Sequence, residues 1–212
     1  MASQSWLTCF VSACLMALPG LMTASEFVEP AFPLQAGLRL TIATPLMSVD
    51  VIDDVEVDTA ITVEAMWHHL YPITDDGSVR LIGSPGLAIV YQEGSASGID
   101  ADYLLPVVRF HLGIDVALGS HVHLECATFV GGGVGTLDIK LPNYREYEYG
   151  LVSEWGVTAA CIIRAGSMEI GGGLGWMVRR GFNRFAVDGT TLVDIKINQQ
   201  YPKAFIALGW TF

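Results

Sequence analysis

Residues 201–212 read YPKAFIALGWTF, and their character alternates from one residue to the next. Because successive side chains of a β-strand point to opposite faces, this pattern predicts a strand with one apolar face and one smaller, more polar face. The apolar face comprises Ala204, Ile206, Leu208, Trp210 and Phe212, and the other face comprises Lys203, Phe205, Ala207, Gly209 and Thr211. The stretch ends on an aromatic ring, which suits a strand that lies in lipid with its last ring at the level of the headgroups.

This stretch resembles the C-terminal strand of bacterial outer-membrane β-barrels. In that family the barrel-assembly machinery reads the final aromatic residue and the alternating apolar positions. The resemblance therefore implies the same role for Leu208, Trp210 and Phe212. The last strand of a soluble β-sandwich would alternate in the same way, so the rest of the chain has to support the membrane interpretation independently.

The composition also favours a membrane protein. The chain has 212 residues, of which 51% are hydrophobic and only 16% are charged, whereas soluble domains have about 25% charged residues. Beyond the N-terminus no stretch approaches the roughly 18 to 20 apolar residues of a transmembrane helix. The apolar residues must then fill a very large soluble core or lie at period two on strands that face lipid. The net charge of −11 argues against nucleic acid and anionic membrane surfaces as partners.

Residues 1–24 contain no charged residue and carry an apolar run, from Trp6 to Leu18, followed by Pro19-Gly20 and small residues. This pattern predicts a secretory signal peptide, which leaves residues 25–212 as a single barrel domain. No periplasmic peptidoglycan-binding domain is expected. Of the cysteines, Cys126 and Cys161 would remain, on outward positions of neighbouring strands. We expect two unpaired lipid-facing thiols there, with a disulfide as the alternative.

The same alternation recurs along the chain and predicts about eight strands of roughly the length that crosses a bilayer. The predicted strands are 35–44, 57–67, 86–92, 104–117, 121–134, 149–163, 168–180 and 201–212. Two connections are short turns, whereas polar loops are expected at 45–56, 93–102, 135–148 and 181–200. Short turns at one end and long loops at the other are typical of small outer-membrane barrels. The chain is similar to the OmpA-like and OmpX-like class in these respects, and ten strands remain possible if the last loop hides a hairpin.

The more polar face of these strands carries glycines and scattered charges of both signs. A soluble lipocalin-like barrel would place apolar residues inside and charges outside, whereas mixed charges in a narrow lumen can pair with one another. The predicted lumenal polar network comprises Arg39, Glu64, Arg109, His111, Asp115, His121, His123, Glu125, Glu154, Glu169 and Arg179. Two interfacial aromatic girdles are also predicted, with Trp67 and Trp210 toward the short turns and Tyr91, Tyr103, Tyr149 and Tyr201 toward the loops.

The densest group of chemically capable residues lies around a predicted three-residue turn, Leu118 to Ser120. Such a turn would place Asp115 directly across from His123. Two histidines and a carboxylate could bind zinc, which makes His121, His123 and Glu125 weak candidates for metal ligands. The favoured interpretation is a lumenal network of hydrogen bonds and ion pairs, with no metal and no cofactor.

An enzymatic role is the alternative. Some small outer-membrane barrels act on lipid A, and this chain lacks the His-x-Ser pair that resemblance to the lipid A deacylases would require. Ser120 and His121 are adjacent, so their side chains would face opposite sides, and Ser153 has no identifiable outward histidine beside it. The sequence therefore favours an outer-membrane barrel, in contact with lipid and lipopolysaccharide, that has a structural or interaction role or a narrow solute path. The alternatives are a lipid A-modifying enzyme and a soluble periplasmic lipocalin-like binding barrel.

Overall fold

A computed structural model describes residues 35–52, 55–96, 98–142, 144–187 and 191–212. The predicted signal peptide lies outside these ranges. No helix within them is long and apolar enough to cross a membrane.

The described residues form nine strands. In chain order they are β1 (Gln35–Pro45), β2 (Asp50–Ile52), β3 (Val55–Pro72), β4 (Val79–Ala96), β5 (Ile99–Ala117), β6 (Val122–Leu141), β7 (Tyr144–Ala165), β8 (Met168–Val187) and β9 (Thr191–Thr211). Each strand from β3 to β8 pairs antiparallel with the next strand in the chain. β1 pairs with both β9 and β3, so eight strands close into a ring, and the short β2 pairs with β3 alongside them. The eight-stranded up-and-down barrel is confirmed, and the last connection adds no further hairpin to the described strands.

The two ends of the barrel differ. At one end, which we call the turn side, the connections 73–78, 118–121 and 166–167 are short. At the opposite end, the loop side, the strands run on as β-ribbons almost to the tips. β6 and β7 stay paired out to Leu141 and Tyr144, and β8 and β9 stay paired out to Val187 and Thr191. The sequence interpretation of 93–102, 135–148 and 181–200 as irregular loops is therefore wrong, because these polar segments also carry alternate apolar side chains, such as Ala101, Leu137 and Ile197, that are buried while the backbone ladder continues.

The outer surface of the barrel is apolar. The alternate residues of each strand that were predicted to face outward include many exposed aliphatic and aromatic side chains: Leu40, Ile42, Val63, Leu87, Val108, Phe110, Leu112, Val130, Trp155, Ile163, Ile170, Leu174, Ile206 and Leu208. The side chains between them are buried, and many of these are charged. This polarity is the inverse of that of a soluble barrel, so the lipocalin-like alternative is excluded.

The connection after β1 folds into the barrel. Val49, Val51 and Val55 are buried, while the exposed Asp50 and Glu56 alternate with them along the chain. The backbone amide of Leu46 donates to the carbonyl of Pro202 at 2.9 Å. The prediction of a polar loop at 45–56 is therefore wrong, because Val49, Val51 and Val55 give this segment an apolar face that the lumen buries.

Two tyrosines face inward where the sequence predicted an interfacial girdle, and one valine interrupts the alternation of its strand. Tyr103 and Tyr201 are buried in the interior and do not belong to the loop-side girdle. Val57 packs against the interior because a register shift between Val57 and Thr59 reverses the alternation of β3. On the turn side, the exposed Trp67 contacts Phe212 edge to face, with ring centroids 5.7 Å apart.

Candidate functional site: two charged layers in the lumen

The first charged layer crosses the lumen near the turn side. We call it the turn-side layer; it comprises Arg39, Arg80, Asp115, Glu125, Arg164 and Glu169. Arg39 projects inward from β1 and donates to both carboxylate oxygens of Glu125, from Nη1 to Oε2 at 2.5 Å and from Nη2 to Oε1 at 2.9 Å. Its Nε donates to Glu169 Oε1 at 2.5 Å. One guanidinium therefore ties β1 to β6 and β8 across the interior.

Arg164 links the same layer from β7. Its Nη1 lies 2.9 Å from Asp115 Oδ2, and its Nη2 donates to Glu125 Oε1 at 2.8 Å. Its Nε donates to Glu169 Oε2 at 3.2 Å. Arg80 adds bonds to Asp115 Oδ1 from Nε, at 3.0 Å, and from Nη2, at 2.7 Å. Three arginines thus face three buried carboxylates, which offsets the desolvation of each charge.

The register between β5 and β6 corrects the expected pairing. Asp115 lies opposite Glu125, and Ala117 lies opposite His123. The connection is four residues long, closed by a bond from the amide of Leu118 to the carbonyl of Val122 at 2.8 Å. The prediction that a three-residue turn places Asp115 across from His123 is therefore wrong. The register of β6 against β5 is shifted by two residues from the predicted one. Two carboxylates face each other as a result, and the guanidinium of Arg164 is needed between them.

The second charged layer lies deeper in the barrel. We call it the central layer; it comprises Glu64, Arg109, His111, Glu154, Arg179 and Gln199. Arg109 donates from Nη1 to Glu64 Oε2 at 2.9 Å and from Nε and Nη2 to Glu154 Oε2 at 2.9 and 2.7 Å. Arg179 holds the other oxygen of Glu154, at 2.7 Å from its Nε. Glu154 is thus clamped between two guanidinium groups that are both fully buried.

Further polar side chains extend the central layer. His111 Nε2 lies 2.7 Å from Glu64 Oε1. Arg179 donates to the side-chain oxygen of Gln199 at 2.7 Å, and Gln199 Nε2 donates to the carbonyl of Asp50 at 2.7 Å and to Gln92 Oε1 at 2.9 Å. The layer is therefore connected directly to β2, the strand that has folded into the barrel.

Between the two layers lies a cavity of about 50 Å³. Its lining includes Thr41, His68, Ser84, Lys203 and Phe205. The ammonium of Lys203 lies 4.6 Å from the ring centroid of Phe129, a cation–π geometry. A cavity of this size holds one or a few water molecules, so it does not connect the two ends of the barrel.

Beyond the central layer the lumen is apolar. Its packed side chains are Val51, Val55, Ala88, Val90, Ala101, Tyr103, Leu105, Val107, Leu137, Val152 and Ile197. Val51 and Val55 come from the folded-in connection, so this cluster closes the loop-side half of the barrel. The interior of an eight-stranded barrel has room only for side chains. In this barrel the turn-side half is filled by charged side chains and the loop-side half by apolar ones.

The weak candidates for metal ligands do not converge on one point. Glu125 is held by Arg39 and Arg164. His123 Nδ1 lies 2.8 Å from Arg80 Nη2. His121 is exposed at the turn-side mouth, with its Nδ1 3.0 Å from the carbonyl of Arg164. Among the described residues no group of three or more His, Cys, Asp or Glu side chains is arranged to hold a metal ion.

The sequence interpretation omitted several members of the lumen. Arg164 and Lys203 share the inward parity of Glu154 and Tyr201 on their own strands, so strict alternation along β7 and β9 would have found them. Arg80 lies in a stretch that was not assigned to a strand. Cys126 and Cys161 are not joined in a disulfide, and their strands pair two residues out of step, Leu124 with Cys161 and Cys126 with Ala159.

Outside the membrane, the ends of the barrel carry exposed charges. At the turn 73–78, Thr74 and Ser78 donate to Asp76 Oδ1, and these bonds lower the pKa of Asp76 to about 2. At the tip of the β6–β7 ribbon, Arg145 donates to both oxygens of Asp138, at 2.9 and 2.6 Å, which lowers the pKa of that carboxyl. Salt bridges also stabilise the tip of this ribbon.

Ser153 is exposed on the outer face of β7, and its hydroxyl donates to the carbonyl of Arg180 at 3.3 Å. Its cross-strand neighbours are Gly132 and Arg180. A nucleophilic serine needs a base within hydrogen-bond reach, and the described contacts of Ser153 include no histidine.

Comparison with known proteins gives likeness of fold only. No protein-family model matches the chain, and no curated protein sequence matches it. Among solved structures, Ail, the attachment invasion locus protein of Yersinia pestis, is 11% identical with a TM-score of 0.44, covering 84% of this chain and 98% of Ail. Neisserial surface protein A is 9% identical with a TM-score of 0.47, covering 84% and 96%. The translocator domain of the autotransporter NalP from Neisseria meningitidis is 9% identical with a TM-score of 0.43, covering 99% of both chains.

The identity of the protein rests on its own structure. The strands close into a ring without a free edge, the outer surface is apolar, and the charges are buried inside. In a lipid environment every backbone polar group must be paired internally, which a closed barrel achieves. The chain folds as an eight-stranded β-barrel with the polarity of a transmembrane barrel.

Proposed function

We propose that the protein is a structural and interaction barrel whose lumen conducts no solute. The observation that carries this proposal is the filling of the lumen at successive levels: the turn-side layer, the central layer and the apolar cluster. A conducting pore needs a continuous polar path. In the described lumen, the two layers of paired ions are instead followed by a packed apolar cluster, which interrupts any polar path.

The folded-in connection strengthens the closure at the loop side. Val51 is fully buried among the side chains of β4, β5 and β6. The bond from Gln199 to the carbonyl of Asp50 ties this segment to the central layer. Opening the loop-side half would expose this apolar cluster to water and break that bond, so a narrow solute path is disfavoured.

The surfaces left for function are the outer face and the ribbons. The apolar outer face contacts outer-membrane lipid, and the ribbons present the polar ends of β4 to β9 above it. We propose that lipopolysaccharide is a neighbour of this face. We also propose that the barrel-assembly machinery reads the outward row of β9, where Leu208, Trp210 and Phe212 are exposed.

Single-channel recording tests the closed lumen. The folded protein is inserted into planar bilayers at low and high voltage, beside a variant that lacks residues 46–54 and carries Glu154→Ala. The native protein should show no discrete conductance, whereas the variant, which removes filling from two levels, should show short openings. Reproducible discrete conductance of the native protein would overturn the closed lumen.

A further inference from the structure

Arg180 and Lys196 differ from the other cations in the part of the chain that the structure describes. The ion-paired cations are Arg39, Arg80, Arg109, Lys140, Arg145, Arg164 and Arg179. Lys203 is buried against Phe129. Arg180 and Lys196 are exposed and form no ion pair with a described residue. Among the residues with described side chains, these two positive charges lie on the exterior without an ion pair to a described carboxylate, in a protein whose net charge is −11.

Both residues point away from the lumen. On β8, Arg179 is buried inside and Arg180 is exposed; on β9, Ile197 and Gln199 are buried and Lys196 is exposed. These strands are direct neighbours, with Arg180 opposite Asn198 and Phe182 opposite Lys196. The two cations are thus diagonal neighbours, at a Cβ separation of about 7–8 Å. Side chains as long as Arg and Lys can converge on one anion across that distance.

Their height along the barrel matches a headgroup region. On β9, Lys196 lies 14 residues from Trp210, and on β8, Arg180 lies 12 residues from Met168. For strands tilted by about 40° these separations correspond to roughly 30 to 37 Å along the membrane normal, which exceeds an apolar band of about 25 Å. The exposed Trp155 lies just below this level, next to the row formed by Ser153, Arg180 and Asn198. Tryptophan marks the boundary between hydrocarbon and headgroups.

The surroundings of the pair also suit a lipid headgroup. Its outward neighbours with described side chains are Leu151, Ser153, Phe182, Asn198 and Gln200, none of which is acidic. The same row of β9 continues toward the ribbon tip with Asp194, which lies opposite Arg184 in the strand register. Asn198 adds an exposed amide donor, and the exposed Leu151 and Phe182 add apolar surface. Cations beside apolar surface, at the level of the headgroups, complement a phosphate that is attached to acyl chains.

We propose that Arg180 and Lys196, with the amide of Asn198, form a binding site for a phosphate group of an outer-leaflet lipid of the lipid A type. This inference rests on the proposed function, in which lipopolysaccharide lies against the outer face, and it specifies where and through which chemistry. Arg180 supplies a planar fork for two phosphate oxygens, and Lys196 supplies a point charge from the next strand.

The test measures binding of purified lipid A to the folded protein in detergent by native mass spectrometry. The probes are bisphosphorylated lipid A, dephosphorylated lipid A and inorganic phosphate alone. The R180Q/K196Q variant removes the pair. The matched control, K140Q/R145Q, removes the half-buried Lys140 and the exposed Arg145 from the β6–β7 ribbon tip, where each is already paired with a carboxylate.

The native protein should bind bisphosphorylated lipid A at least about tenfold more tightly than R180Q/K196Q. Each interfacial cation contributes about 1 kcal/mol, which is roughly a fivefold change in affinity, and the variant removes two such cations. The control should stay within about twofold of the native protein. Dephosphorylated lipid A and inorganic phosphate should bind weakly to all three proteins. Native-like binding by a folded R180Q/K196Q variant would overturn the site, as would equal binding of dephosphorylated lipid A. Conductance is recorded from the same preparations, so that a failure of the lipid site can be distinguished from a failure of the proposed closed lumen.

Discussion

Asp115 and Glu125 lie directly opposite each other across β5 and β6, and one guanidinium, that of Arg164, bonds to both carboxylates. Like charges at opposite positions of a sheet are destabilising by themselves. The pair is stable here because Arg164 lies between them while Arg39 and Arg80 hold their remaining oxygens. The turn-side layer is therefore a unit in which each arginine compensates carboxylates from other strands.

Removing the shared guanidinium should destabilise the whole barrel. We expect Arg164→Gln to lower the free energy of unfolding by about 3–5 kcal/mol, because three buried carboxylates, Asp115, Glu125 and Glu169, lose a partner. Denaturant titration of the protein in lipid vesicles, followed by tryptophan fluorescence, measures this loss. Arg145→Gln, at an exposed ribbon tip, should cost less than about 1 kcal/mol. Adding Asp115→Asn to Arg164→Gln should recover part of the loss, and a double variant that is no more stable than Arg164→Gln alone would contradict the coupling.

The central layer predicts a similar dependence on Glu154. Glu154→Gln removes the charge between the buried guanidinium groups of Arg109 and Arg179. We expect a loss of about 3–5 kcal/mol in the free energy of unfolding, since buried Arg179 loses its carboxylate partner and buried Arg109 keeps only Glu64. The matched control is Glu93→Gln, at an exposed carboxyl of β4, which should change stability by less than about 0.5 kcal/mol. Equal effects of the two substitutions would show that the clamp on Glu154 does not stabilise the barrel.

The outer face predicts a position-dependent cost for a positive charge. Leu174 and Leu118 are exposed to similar extents, 56% and 60%, yet Leu174 lies in mid-barrel on β8 and Leu118 lies in a turn. Leu174→Arg should lower the free energy of unfolding in vesicles by about 2–4 kcal/mol, because arginine is costly near the middle of a bilayer. Leu118→Arg should cost about 0–1 kcal/mol. Equal tolerance of both substitutions would place the outer face in water.

The folded-in connection should be displaced by a charge on its apolar face. Val51→Asp places a carboxylate in the apolar cluster, whereas Met47→Asp places one at an exposed position. We expect Val51→Asp to make the chain susceptible to a glutamate-specific protease at Glu56 while the ring of eight strands stays folded. The Met47→Asp and native proteins should resist cleavage there. Equal resistance of all three proteins would mean that Val51 does not hold the segment inside.

The turn 73–78 makes a prediction about pH. Because the pKa of Asp76 is lowered to about 2 by bonds from Thr74 and Ser78, the ionised carboxylate stabilises the turn above its ordinary pKa of 3.8. That contribution is lost as the pH falls through about 2. Carboxyl-carbon NMR should report a midpoint near 2 for the native protein and a higher midpoint for Thr74→Val. An unchanged midpoint in Thr74→Val would show that the hydroxyl of Thr74 is not responsible.

Period-two alternation predicted the strand number, most of the lipid-facing side chains and the buried positions of Arg39, Arg109, Asp115 and Glu154. It failed where the positions of the side chains depend on strand register or on a β-bulge, because alternation specifies neither. The register of Asp115 depended on the length of one turn, which the sequence of Leu118-Gly119-Ser120 does not specify. Val57 faced inward because of a bulge, and such a shift reverses every assignment beyond it.

Other errors could have been avoided, because the alternation of the sequence already indicated the correct face. Tyr103 and Tyr201 share the inward parity of Arg109 and Lys203, so their aromatic character should not have outweighed their position. The valines at 49, 51 and 55 also alternate, which distinguishes a segment that can be buried from a solvated loop. The contacts of Arg164 with Asp115 and Glu125 could not be derived from the sequence, since they join strands without a shared turn of predictable register.

The most direct test of the account is electrophoretic mobility with and without boiling, after residues 25–212 are refolded with and without lipid vesicles. The account predicts β-rich circular dichroism and a boiling-dependent shift in mobility only when vesicles are present, because the apolar outer face requires lipid. A monomer that folds to a β-rich structure in plain buffer would contradict it, since the exposed leucine, isoleucine and valine side chains of β1 to β9 would then have to face water.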